Sequence, residues 1–104
     1  MLNVTAVGNV TRDLELKTVG QEKPMSKVTF TVACNHPGKE ETTEFIDVEV
    51  LGTYADTCAK YLRKGSGVVV IGELYFETNE KDGKTYFKKV IKNAEVAFMD
   101  KKTK

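Results

Sequence analysis

A stretch of twenty residues, Ala55 to Leu74 (ADTCAKYLRKGSGVVVIGEL), constrains the fold of this chain more than any other. Ala55, Cys58, Ala59 and Leu62 fall at i, i+3, i+4 and i+7, the apolar stripe of one short helix. Thr53 is placed to cap its start, and Arg63 and Lys64 suit the negative end of the helix dipole. Gly65 is the expected stop, because glycine takes the left-handed conformation without a Cβ clash. Val68 to Ile71 then form a β-branched strand, and Gly72 interrupts it where a sharply bent strand wants no side chain.

Around this stretch the remaining apolar pattern has period two. Leu2 to Gly8 alternates, and the strand continues from Val10 to Thr18 past a kink at Gly8-Asn9. Gly20 and Pro24 mark a turn. In Ser26 to Cys34, Val28, Phe30, Val32 and Cys34 face one way, and Lys27, Thr29, Thr31 and Ala33 the other. His36-Pro37-Gly38 opens a polar loop, and Phe45 to Leu51 forms the third strand. Asp82-Gly83 is a hairpin turn between a strand over 67–78 and a last extended segment over 85–99, broken near Asn93. The fold class is therefore all-β with one short helix. Five antiparallel strands with the helix between the third and fourth is the element order of a Greek-key OB-fold barrel. A small open sheet carrying one helix has the same patterning. Residues 1–100 make one domain, and residues 101–104 a short basic tail expected to be disordered.

Composition excludes more than it assigns. The chain is 40% hydrophobic and 30% charged, ordinary values for a soluble domain. It has no apolar run of membrane-spanning length and no signal-peptide layout, which favours the cytoplasm and no membrane contact. Cys34 and Cys58 lie in apolar patterns without metal spacing, so buried free thiols are expected. There is no HExxH, GxSxG or P-loop motif, and one histidine. No enzyme, cofactor or metal site is expected. The net charge of +1 conceals an asymmetry: residues 81–104 carry +5 and residues 1–80 carry −4. A basic C-terminal quarter suits either a polyanion or a solvated lysine-rich strand.

Binding features lie on the strands. Ile46, Val48 and Val50 form the inward set of the third strand, so Phe45 faces outward with Asp47, Glu49 and Leu51. An outward aromatic either stacks on a base or packs under a loop or in a subunit interface, and the pattern leaves both open. Lys27 shares the outward face of the second strand with Thr29 and Thr31. Phe76 is in phase with Val68, Val70 and Leu74, which assigns it inward and Tyr75 outward. Past the turn, Lys84, Tyr86 and Lys88 share a face, the interleaving of a stacking and electrostatic groove. Val69 and Ile71 make that strand apolar on its second face as well, which fits cover by the helix or an oligomer interface.

Gly8-Asn9-Val10-Thr11-Arg12-Asp13-Leu14-Glu15-Leu16, Phe45-Ile46-Asp47-Val48, Gly52, Ala55, Tyr61-Leu62-Arg63-Lys64-Gly65, Gly72-Glu73-Leu74 and Asp82-Gly83 with Tyr86 follow the order and spacing of the bacterial single-stranded DNA-binding proteins, which this chain resembles over residues 2–99. The resemblance implies an OB-fold, a homotetramer or homodimer, and sequence-tolerant binding of single-stranded DNA in replication, recombination and repair. It places Phe45 at a stacking position, His36 where tryptophan is frequent, Lys17 at a basic contact and Tyr75 where arginine is common. The DNA-binding set is then Lys17, Lys27, His36, Phe45, Tyr75, Lys84, Tyr86 and Lys88. Departures are the lack of any tryptophan, Asn79 and Leu51 at aromatic positions, Leu14 for a usual proline, and carboxylates at Asp47 and Glu77. The family's acidic tail, which recruits replication and recombination proteins, has no counterpart after Asp100; that points to a phage, plasmid or accessory relative, or to a shortened chain. The alternative reading is a primosomal accessory protein acting through protein partners.

Overall fold

The computed structural model describes residues 1–35 and 43–99; the loop residue His36 and the expected tail lie outside them. The elements in order are β1 (Asn3–Val10), β2 (Glu15–Val19), β3 (Met25–Asn35), β4 (Thr43–Leu51), α1 (Thr53–Tyr61), β5 (Gly67–Lys81) and β6 (Lys84–Phe98). The strand expected over 2–18 divides at residues 11–14 into β1 and β2. The helix therefore lies between β4 and β5 rather than between a third and a fourth strand, although its place in the topology is the one expected.

The strands close into a ring. β1 pairs along β5, β5 along β6, and β3 along β4, all antiparallel. Two short seams complete it: β1 meets β3 at Asn9↔Ala33 and Val10↔Val32, and β4 meets β6 in parallel at Asp47↔Val90 and Val48↔Ile91. β2 continues from β3 as a flap, with Lys17 opposite Lys27. This is the OB-fold barrel. Its interior holds Val10, Val28, Phe30, Val32, Val48, Val50, Val68, Val70 and Ile91, with Ala55, Cys58 and Leu62 filling it from the helix side. Burial of these side chains is the main source of stability.

Two glycines mark close backbone approaches. A Cβ at Gly8 would lie 2.2 Å from the Ala33 carbonyl oxygen, where β1 crosses β3. At Gly72 it would lie 2.6 Å from Ile91 Cγ2 and 2.9 Å from the Lys92 carbonyl oxygen. The β5–β6 register shifts there, and Asn93, at φ 53°, takes up the extra residue of β6 as a bulge. The bend at Gly72 and the break near Asn93 are one feature.

The helix ends differ from expectation. Thr53 is its first residue, not its cap. Gly52, at φ 80°, holds the cap position, and its carbonyl accepts the Ala55 N–H at 2.9 Å. The helix stops at Tyr61, before Gly65, because Leu62 turns extended to bury its side chain to 2% exposure. Arg63 still reaches back to donate to the Lys60 carbonyl. Gly65 ties the following turn to β1: its N–H donates to the Val10 carbonyl at 2.7 Å, and its carbonyl accepts from Asn9 Nδ2 at 3.0 Å. Cys58 is buried, whereas Cys34 is only half-buried.

Candidate nucleic-acid interface

Alternation carries Lys27, Thr29, Thr31 and Ala33 of β3 to the outer surface, next to Phe45, Asp47 and Glu49 of β4. The β4–β6 seam adds Lys88, Val90 and Lys92, and β5 adds Glu73, Tyr75 and Glu77 by register. These residues form one continuous face. Val90 is 4% exposed yet stands apart from the interior cluster, so it forms an apolar floor on the outside of the barrel, opposite Tyr75.

At one end of the face Arg12, Glu15, Lys17, Lys27 and Thr29 line a depression of about 170 Å³. Lys17 and Lys27 are direct register partners, and like charges so placed favour an anion between or above them. Arg12 was missed by sequence reading. It sits inside the Gly8–Leu16 motif, and only the fold of β2 onto β3 reveals that it borders the basic pair. Midway along, Phe45 is 58% exposed and available to a planar ligand. Beyond it the barrel ends and β5 and β6 project as a hairpin. There Tyr75, Lys88 and Tyr86 share the outer face, and Lys84 faces Lys81 across the turn. The positive φ values at Asp82 and Gly83 fit a tight primed hairpin turn.

Three lysines of this face are already paired. Lys27 lies 3.3 Å from Glu49, Lys88 3.5 Å from Asp47, and Lys92 3.0 Å from Glu77. Thr31 Oγ1 donates to Asp47 at 2.6 Å. Tyr75 donates its hydroxyl to Glu73 at 2.8 Å, and the Lys92 ammonium stands 5.1 Å from its ring centroid. The bond to Glu73 raises the Tyr75 pKa, and the bond to Glu77 raises that of Lys92. Solvent-facing pairs of this kind are weak, so these lysines can exchange a carboxylate for another anion. The structure thus gathers Lys17, Lys27, Phe45, Lys88, Tyr75, Tyr86 and Lys84 along one face. Phe76 departs from expectation. Its phase is interior, but β1 pairing ends at Glu73 and the ring, past the barrel's end, is 65% exposed.

Fold and face are those of an OB-type binding domain. Residues 1–99 match the model of the single-strand binding protein family. The chain belongs to that family. It is 39% identical to the single-stranded DNA-binding protein of Onion yellows phytoplasma, across 98% of both chains. It is 31% identical to that of Helicobacter hepaticus, over 95% of this chain and 61% of the relative. It is 34% identical to single-stranded DNA-binding protein 2 of Streptococcus agalactiae serotype III, over 81% of this chain and 66% of the relative.

Two of the motifs that carry the family likeness, Gly8–Leu16 and Tyr61–Gly65, are hydrogen-bonded to each other. Besides the Asn9 and Gly65 bonds, the Val10 N–H donates to the Ser66 carbonyl and the Lys64 N–H to Asp13 Oδ1, both at 2.9 Å. These two motifs weld β1 to the turn after α1, whereas Arg12, Phe45, Asp47 and Tyr86 of the same set lie on the candidate face.

Proposed function

We propose that this protein binds single-stranded DNA with little sequence preference and protects it during replication, recombination and repair, in the cytoplasm of a bacterium or of a bacterial host of a phage or plasmid. The observation that carries this reading is the outer face, on which exposed aromatics alternate with lysines from the Arg12–Lys27 depression to the tip of the hairpin. Phosphates pair with Lys17, Lys27, Lys84 and Lys88, and bases stack on Phe45, Tyr75 and Tyr86. The role is binding, not catalysis.

The working form is a homo-oligomer, a dimer or tetramer. In support, Val7 is 52% and Ile71 49% exposed on the outer side of β1 and β5, next to the half-buried Val69. Among the described residues, no strand pairs with the other edge of β1 from Asn3 to Gly8. Apolar patches and open strand edges are the usual sites of association.

The test is a titration with oligo-dT at two salt concentrations, with molar mass followed by light scattering. Affinity is expected to fall steeply with salt, tyrosine fluorescence to be quenched, and duplex DNA of equal length to bind far more weakly. Equal binding of both forms, or of neither, overturns the reading.

A further inference from the structure

The β5–β6 hairpin has a second face. Phe76, Thr78, Phe87 and Lys89 share it by register, opposite the face of Tyr75 and Tyr86. Phe76 is 65% and Phe87 78% exposed, and they are diagonal neighbours. The interior of the barrel runs out below them, so among the described residues no core explains two adjacent phenylalanines in solvent. Thr85, Glu80 and Lys89 surround them, with Lys89 held 3.0 Å from Glu44.

We infer that this second face is also a single-strand binding site, with bases stacking on Phe76 and Phe87, so that one strand engages the hairpin on both sides. The inference rests on the function proposed above. Three observations favour this occupant. The first is area. A phenylalanine buries roughly 150–250 Å², so these two rings offer on the order of 300 Å², whereas a stable protein contact takes about 800 Å² per partner. A base needs only one ring. The second is continuity, because the hairpin is a single layer two strands wide and its opposite face belongs to the proposed interface. The third is charge: Lys81 and Lys84 stand directly opposite one another at the tip, where a strand passing from one face to the other brings its phosphates.

The test compares the parent protein with Phe76→Thr/Phe87→Thr, threonine keeping the strand propensity. Oligo-dT carrying 5-iododeoxyuridine is photocrosslinked to the parent and the labelled peptides are mapped. Crosslinks at Phe76 and Phe87 are expected, as is an affinity loss in the variant of roughly fivefold to 150-fold per ring and fewer nucleotides protected per subunit. Melting curves are expected to match, since neither ring is in the core. Crosslinks confined to Tyr75, Tyr86 and Phe45, with unchanged affinity in the variant, overturn this inference and leave the function standing. A change of molar mass with unchanged affinity also overturns it, by making the face a protein contact. No binding by the parent removes both readings together.

Discussion

Asp47 shows how single residues set the strength of the face. It takes a hydrogen bond from Thr31 and an ion pair from Lys88, so it occupies a cation that phosphate would use. Asp47→Asn keeps the bond from Thr31 and removes the charge. Tighter single-strand binding is expected, with a salt dependence steeper by about 0.7 in the log–log slope, the value for one more phosphate contact on a single strand. Phe45→Ala should move affinity the other way, by about 1–3 kcal/mol, with little change in melting temperature because the ring is 58% exposed. Titration and thermal melting of both variants check the pair. At this scale the sequence was legible where alternation decides, as for Phe45 and Tyr75. It was not legible for ion pairs: Lys88 and Asp47 meet across a seam between distant strands, which local spacing does not encode.

Elements were read with the right phase and the wrong limits. Phe76 does continue the stripe of Val68, Val70 and Leu74, but the neighbouring strands stop first, and nothing in β5 itself announces where β1 ends. Gly65 has the positive φ expected of a stop, yet the burial of Leu62 ends the helix three residues earlier. Gly72 predicts a bend in β5, and the register does shift there; the extra residue of the bulge is Asn93 of β6. The lack of a side chain at Gly72 is essential. In Gly72→Ala the new methyl meets Ile91 and the Lys92 carbonyl at distances that force movement. Overpacking of this kind costs about 1–3 kcal/mol. A fall in melting temperature of several degrees is the expected result, measured by calorimetry.

Over the whole molecule, folding sets part of the sequence's charge asymmetry against itself. The lysine-rich last quarter lies against the acidic strands before it, so Lys88, Lys89 and Lys92 meet Asp47, Glu44 and Glu77. Counting charges along the chain gave the two poles but not their contact. One source of pH-dependent stability is Cys58, whose thiol is pushed from 9.0 up to about 11 by burial, and burial shifts the Cys34 thiol in the same direction. Between those values the unfolded chain has lost the proton and the native state keeps it, so the unfolded state binds fewer protons. The Cys58 contribution to stability is therefore full below about pH 9 and is lost toward pH 11, by up to about 3 kcal/mol. Denaturant midpoints measured across that range should shift downward, and Cys58→Ala should flatten the slope.

The β4–β6 seam that closes the barrel consists of two register pairs, and two ion pairs, Lys88–Asp47 and Lys89–Glu44, clasp its sides together. A lysine of the proposed interface is thus also a buckle of the barrel. If a phosphate takes Lys88 as proposed, it would stand where the Asp47 carboxylate now clasps the seam. Cargo becomes girdle: the strand that the protein shelters would in turn hold the protein shut, and salt that strips the one would slacken the other.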